Sequence, residues 1–234
     1  MPGRKIPLVT GQLYHVFNRG VARLPTFTNE SEYNRAMALI NYYRFANVSL
    51  KYSNFNDLPL SQQQEILDNL KKQNDLLVKI HSFILMPNHF HFTLEPVIEG
   101  GISRFISNFS NSYTKYVNTV QDRVGPLFQG KFKAVHIKSD SQLTHLSRYH
   151  HLNIYTDGVV TTIDQILNYS YSSMPNYLGG GLYDFVEIEL VLSYFKSKED
   201  YKIFVLNNKD YQRNLGKIRK LLHEKTVRNH LGGV

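Results

Sequence analysis

The sequence predicts an α+β fold, in which helices pack on one face of a ferredoxin-like antiparallel sheet and a C-terminal helical extension follows. The order of the patterns supports this class: strand, helix, strand, strand, helix, strand is the order of a ferredoxin-like sandwich. After residue 160 the strand signals weaken, and turn-rich or helical patterns replace them. We therefore predict a core domain over residues 1–155, with a helical insertion near 47–77, and an extension over 156–234.

Each predicted element rests on its hydrophobic period, which is two residues for strands and about 3.6 for helices. The predicted elements are, in chain order, strand 12–20, helix 29–46, loop 47–60, helix 61–77, strands 78–86 and 89–96, helix 101–120, strand 131–138, helix 139–153 and helices 187–205 and 209–226. Capping residues support several starts: Asn29 or Ser31, Ser61 with Gln64 as a capping box, and Ser139 or Asp140.

Composition narrows the class of protein. The 234 residues carry a formal net charge of +8, from 27 basic and 19 acidic residues. A basic surplus favours a polyanionic partner, nucleic acid first. The chain has no cysteine, which excludes disulfides, thiolate metal sites and cysteine nucleophiles. Because no segment is typical of a secretory signal or a membrane span, we predict a cytoplasmic protein with no membrane partner.

A pair of histidines opens the predicted third strand, in "MPNHFHF" (86–92). Strand side chains alternate between faces, so His89 and His91 point one way while Phe90 and Phe92 point into apolar packing. Two imidazoles on one face can hold a metal ion once a carboxylate or an amide completes the site. The pattern alone is weak evidence for a metal and favours two partly exposed strand histidines.

A second constellation lies on the predicted helix "THLSRYHHLN" (144–153). His145, Tyr149 and Asn153 follow one another at intervals of four residues, which places them on one helix face. A phenol can attack phosphorus, and an amide oxygen can bind a metal. Structural roles are the alternative for each residue, because the chain contains 16 tyrosines and an asparagine here can cap the helix.

Taken together, "YHVFNRG", "MPNHFHF", "VGPLFQGKFKAVHI" and "LSRYHHLN" resemble the single-tyrosine HUH transposases, and most of all the branch of the REP-associated tyrosine transposases. "NYSYSSMPNYLGG" (168–180) is similar to the segment that follows the catalytic helix of that family. The resemblance covers nearly the whole chain, and the order of the motifs makes it specific. It implies a metal-dependent single-stranded DNA transposase or endonuclease that recognises hairpins and acts through a 5′-phosphotyrosine intermediate.

The resemblance also implies the site residues. The nucleophile falls on Tyr149, and the metal ligands fall on His89 and His91, with Asn153 as the third. The implied cofactor is Mg²⁺ or Mn²⁺, since both suit imidazole together with amide oxygen. Tyr113 and Tyr116, on the preceding helix, are the rival nucleophiles.

Two departures from the family pattern concern the region after the nucleophile. "NIYTDGVV" (153–160) stands where relatives read "NPVRAG", which puts a phosphate contact in doubt. His150 replaces an isoleucine, and we interpret it as lying at a solvated edge rather than on DNA. His151 faces away from the nucleophile, and we interpret it as structural or as a residue that supports the site residues from behind. The predicted phosphate-binding stripe consists of Arg123, Lys131, Lys133 and Arg148. A solvated basic edge strand that discourages aggregation is an equal alternative for Lys131 and Lys133.

The main alternative function is a non-catalytic or domesticated protein that binds hairpins of single-stranded nucleic acid. A zinc hydrolase is less well supported, since the sequence lacks a His-Glu-x-x-His helix. The sequence leaves open the DNA target, a monomer or a homodimer, and whether the nucleophile acts within its own chain.

Overall fold

A computed structural model describes residues 7–210 of the chain. Its strands are β1 (Tyr14–Arg19), β2 (Val78–Met86), β3 (His89–Pro96) and β4 (Lys133–His136). Its helices are α1 (Glu30–Tyr43), α2 (Tyr52–Asn56), α3 (Leu60–Gln73), α4 (Gly101–Val120), α5 (Asp140–Thr156), α6 (Ile163–Leu167), α7 (Met174–Tyr177), α8 (Glu189–Leu192) and α9 (Lys198–Leu206). A short 3₁₀ turn, Val21–Arg23, follows β1.

Over residues 7–210, the strands form one antiparallel sheet in the order β2-β3-β1-β4. The two central strands are therefore β1 and β3, which are distant in sequence. This is the strand order of a ferredoxin-like sandwich, and the predicted α+β class is confirmed. The bounds of β2, β3 and α4 also agree with the prediction, and Pro87 and Asn88 form the turn between the two strands.

The sheet is covered on both faces. α1 and α4 pack on the face that carries Phe90 and Phe92, whose rings meet those of Phe109 and Phe105. α5 covers the opposite face, where Ile84 of β2 lies in one apolar cluster with residues of α5. Helices were predicted on one face of the sheet only. α5 forms a further layer on the other face, because the side chains that β2 contributes to that face are apolar and must be buried.

Helix starts agree with two of the three predicted caps. Asn29 accepts a hydrogen bond from the backbone of Glu32, and Ser139 accepts one from Gln142. The capping box at Ser61 was wrong: α3 begins one residue earlier, after Pro59, without a side-chain cap. The proline has the fixed φ that suits a helix start, and this sets the boundary. The predicted loop 47–60 also contains the short helix α2.

The described part of the extension is a series of short helices, α6 to α9, that pack on α5 and β2. Tyr177 and Tyr201 are fully buried in this layer and stack at 4.7 Å. The helix predicted over 187–205 consists of α8 and α9 with a turn between them, and most of the helix predicted over 209–226 lies outside the described residues. The domain division at 155/156 stays a prediction. Among residues 7–210, no helix is long and apolar enough to cross a membrane.

Candidate active site on the histidine face of the sheet

Pairing of β1 with β3 brings a second set of polar side chains to the histidine pair. Arg19 is opposite His89 and Phe17 is opposite His91 in the register of the two strands. Opposed residues of antiparallel strands share a face, and alternation adds His15 to it. The face therefore carries three histidines and an arginine. Of these four residues, only His89 and His91 were predicted to belong to the site.

α5 lies across this face and brings the predicted nucleophile to it. The ring of Tyr149 meets that of His91 edge-on, with 5.5 Å between centroids and an interplanar angle of 88°. It lies 6.4 Å from the ring of His15. The tyrosine is partly exposed, whereas His91 is buried. This arrangement places a phenol at the boundary between a buried imidazole cluster and solvent.

The predicted third ligand lies beside the other histidine of the pair. The side-chain amide nitrogen of Asn153 is 3.5 Å from Nε2 of His89, and both residues are buried. Nδ1 of His89 is 2.6 Å from the side-chain oxygen of Asn88, which can only accept, so Nδ1 carries the proton. The lone pair of Nε2 therefore points toward the side-chain NH₂ of Asn153. A half-turn of that amide about its last side-chain bond would bring its oxygen to the same place.

Burial keeps these imidazoles neutral. Desolvation, with a smaller contribution from the positive charge of Arg19, lowers the pKa of His89 to about 3. Desolvation lowers the pKa of His15 to about 4. The pKa of His91 is well below its ordinary value, again mainly because of burial and then because of His89 and His15. Neutral imidazole is the form that binds metal ions.

A tighter histidine group overlaps the predicted pair. His15, His91 and His150 offer ring nitrogens that all lie within 4.8 Å of one another. Nε2 of His15 is 2.8 Å from Nδ1 of His91. Of the predicted metal pair, His91 belongs to this group and His89 does not.

His150 is not at a solvated edge, so the interpretation from sequence was wrong. It is fully buried, and its Nδ1 is 2.9 Å from the hydroxyl of Ser82 on β2. α5 packs flat on the sheet, which turns this position inward instead of to solvent. His151 faces the other side, as expected, where it contacts Ser173 and Tyr201 at 2.8 and 2.7 Å. His145, predicted on the same helix face as Tyr149 and Asn153, lies beside Arg148 and Phe204 and not beside the histidines of the sheet.

The rival tyrosines lie on the opposite side of the sheet. Tyr113 is fully buried among the phenylalanines, and its hydroxyl donates to the carbonyl of Thr26 at 2.7 Å. Burial raises its pKa, which disfavours the phenolate. The ring of Tyr116 lies under the guanidinium of Arg35, 4.6 Å away. Packing therefore accounts for both residues.

The four basic residues of the predicted phosphate-binding stripe have different environments in the structure. Lys133 lies 5.9 Å from the ring of Phe17, on the face that carries His91. Lys131 lines a cavity of about 610 Å³ against α4. Arg123 donates a hydrogen bond to the side chain of Asn118, in the last turn of α4. DNA binding by these three residues stays a prediction.

Arg148 has a different environment from the other three. It is only 8% exposed, and its guanidinium lies over the ring of Phe204 at 4.4 Å, between α5 and α9. This packing argues against direct phosphate contact by Arg148. The missed residue with the better position is Arg19, whose charge already acts on His89 and His91. Alternation along β1 puts Arg19 on the same face as His15, but the sequence does not reveal that β3 is the strand that pairs with β1.

One comparison with known proteins bears on the fold that carries this site. The sequence matches no protein-family profile and no curated protein. The structure matches that of a REP-associated tyrosine transposase bound to a REP hairpin, with a TM-score of 0.52 and 15% sequence identity. The match covers 80% of this chain and 91% of that chain. At this identity the likeness establishes a shared fold, a mixed α+β architecture with a four-stranded antiparallel sheet.

Proposed function

We propose that this chain cleaves and rejoins single-stranded DNA, with Tyr149 as the nucleophile and DNA hairpins as the recognised feature. The observation that carries the proposal is the position of the Tyr149 ring against His91, next to the pair formed by His89 and Asn153. The fold shared with a transposase that binds a REP hairpin supports the class of substrate. Arg19 and the basic net charge supply attraction for a polyanion.

The chemistry follows from a phenol that faces solvent beside buried donors. The oxygen of Tyr149 forms a bond to phosphorus, the bond from phosphorus to the 3′ oxygen breaks, and that oxygen takes up a proton as the phenol loses one. The product is a 5′-phosphotyrosine and a free 3′-hydroxyl. The reverse attack by a 3′-hydroxyl reseals a strand without ATP, because the covalent bond conserves the phosphodiester energy.

The donor atoms of this site fit a divalent cation. His89 directs an unprotonated Nε2 at Asn153, and His91 lies 5.0 Å from His89 between ring centroids. Bound by these three residues, Mg²⁺ or Mn²⁺ would polarise a phosphate oxygen and neutralise its charge. Asn88, through its bond to Nδ1, fixes the tautomer of His89 that such binding needs. Arg19 stabilises the negative charge of a neighbouring phosphate.

The test is a covalent trapping assay with single-stranded hairpins drawn from the DNA that flanks the gene. A label at the 3′ end follows the strand that stays on the protein, and a label at the 5′ end follows the released 3′-hydroxyl fragment. With Mn²⁺, wild type and the control variant Tyr116→Phe should give a band that survives denaturation. Tyr149→Phe, His89→Ala and EDTA should abolish it. A band that persists in Tyr149→Phe assigns the attack to another residue and overturns the proposal.

A second candidate is a hairpin-binding module without cleavage. It is favoured by the partly open half of the histidine face, where half-buried Phe17, exposed Lys133 and Val135, 55% exposed, lie side by side. An aromatic ring beside a cation can stack on an unpaired base and contact its phosphate. In the same assay, this candidate predicts tight hairpin binding by wild type and by Tyr149→Phe, with no covalent band from either protein.

The oligomeric state stays a prediction for either candidate. Tyr149 contacts His91 of its own chain, so a complete set of donors and nucleophile exists without a second copy. We propose that the active site works within one chain, whether or not a homodimer forms. Mixing Tyr149→Phe with His89→Ala tests this point, because complementation between the two variants occurs only if sites are shared between copies.

A further inference from the structure

We propose that His15, His91 and His150 form a second, three-imidazole metal site that takes a borderline transition-metal dication such as Zn²⁺ or Co²⁺. Two of its ligands, His15 and His150, are absent from the set formed by His89, His91 and Asn153. The third, His91, is common to both sets, and because a neutral imidazole has one free lone pair, an ion bound through His91 at one set excludes His91 from the other. Its existence does not depend on the tyrosine chemistry. The site lies where β1, β3 and α5 meet.

An unpartnered buried atom points to a ligand here. Nε2 of His150 is buried and has no hydrogen-bond partner among residues 7–210. Leaving a buried polar nitrogen unpaired is destabilising, so such atoms call for an explanation. A metal ion that occupies the space between this nitrogen and those of His15 and His91 accounts for it.

Second-sphere hydrogen bonds set the required tautomer of His150. The hydroxyl of Ser82 donates to Thr93 at 2.9 Å, which leaves its oxygen free to accept. Nδ1 of His150, 2.9 Å from that oxygen, therefore carries the proton, and the lone pair is on Nε2. Metal-binding histidines are ordinarily held in this way, through a hydrogen bond from the nitrogen that does not bind.

The spacing of the ligand atoms suits an ion with modest rearrangement. Metal–nitrogen bonds of about 2.1 Å in a tetrahedral site place ligand nitrogens about 3.4 Å apart. The three nitrogens already lie within 4.8 Å of one another. The 2.8 Å contact between His15 and His91 is shorter than a shared ion allows, so it must open as the ion enters. His15 is half-buried, which gives it room to move.

The donor chemistry determines which ion binds. Three imidazoles without a protein oxygen ligand suit zinc, cobalt, nickel and copper. Mg²⁺ favours a set that includes protein oxygen, such as the amide of Asn153 in the other set. Three ligands leave a fourth position open, as in catalytic zinc sites. Since the ligands are neutral, the full charge of the ion remains available for an anion such as a DNA phosphate next to Tyr149.

The test is metal binding by the full chain without an affinity tag, since tag histidines would bind the same ions. After chelator treatment and dialysis, Co²⁺ is titrated while its visible absorption is followed. One Co²⁺ per chain should bind, and Zn²⁺ should displace it while Mg²⁺ should not. His15→Gln and His150→Ile should each weaken binding by more than about 100-fold, and Ser82→Ala by about 10-fold.

Two control variants make the result specific. His136→Gln, on the outer strand β4, should bind Co²⁺ like wild type. His89→Ala should also keep Co²⁺ while it loses the covalent band of the trapping assay, which separates this proposal from the proposed function. Circular dichroism verifies that the buried variant His150→Ile is folded, and the half-buried His15→Gln serves if it is not. No Co²⁺ binding by wild type, or binding lost in His89→Ala but retained in His15→Gln, would overturn the three-imidazole site.

Discussion

Tyr201 connects the C-terminal extension to the helix that carries the proposed nucleophile. It is fully buried on α9, and its hydroxyl is 2.7 Å from Nδ1 of His151 and 3.0 Å from the hydroxyl of Ser147, both on α5. Tyr201→Phe keeps the ring and its stacking on Tyr177 but removes these contacts. The variant therefore isolates the polar link between α9 and α5.

The expected loss of stability follows from the two groups left behind. His151 and Ser147 are both buried, at 1% and 0% exposure, so water cannot replace the missing hydroxyl. Each unsatisfied buried group costs about 1–3 kcal/mol. His151 keeps its bond to Ser173, and Ser147 keeps its bond to the carbonyl of Thr144. We therefore expect a decrease of about 2–4 kcal/mol in the free energy of unfolding.

Urea denaturation, followed by circular dichroism, measures this difference. Tyr194→Phe is the matched control, because Tyr194 is 43% exposed and should change stability by less than about 0.5 kcal/mol. If Tyr201→Phe is no less stable than this control, the hydroxyl does not hold α9 on α5, and the extension packs by apolar contacts alone.

Three further predictions concern the rest of the chain. Glu32 is 1% exposed and accepts hydrogen bonds from the backbone and side chain of Thr28 and from Gln121. Glu32→Gln should therefore lower the free energy of unfolding, measured by urea denaturation, by about 1.5–3 kcal/mol. A change below about 0.5 kcal/mol would contradict this account. Burial lowers the pKa of His89 to about 3 in the folded protein, so between pH 3 and 6.5 the unfolded chain binds more protons at His89 than the folded protein does. Stability should therefore fall as pH decreases through that range, by about 1.4 kcal/mol per pH unit for each histidine held neutral; urea midpoints at pH 7 and pH 5 that coincide would count against it. A fragment of residues 1–155 should expose the apolar surface that the extension covers, and should elute from gel filtration as aggregate; a soluble monomer would show that the core folds alone.

Much of the secondary structure could be predicted because its signals are local. Alternation at period two places His89 and His91 on one face and Phe90 and Phe92 on the other, and the structure has the same arrangement. Helical spacing placed Tyr149 and Asn153 on one side of α5, where both now lie toward the sheet. A cap that depends only on neighbouring residues, such as Ser139, was predicted for the same reason.

Other features required contacts between residues far apart in the chain. His15 reaches His91 because β1 pairs with β3, across 76 residues of sequence. His150 was assigned to solvent because a helical wheel does not show which side of a helix meets a sheet. Arg148 was predicted to bind phosphate, but α9 covers it. In each case the residue type was visible, while its neighbours were not.

By itself, the sequence determined the order of strands and helices, the histidine pair and the tyrosine that follows it, because hydrophobic period and residue spacing act over a few residues. The tertiary structure alone decided that His91 of this pair belongs to a larger histidine group and that the rival tyrosines lie across the sheet. Strand pairing and the docking of α5 made those decisions, since both depend on burying apolar surface contributed by distant segments.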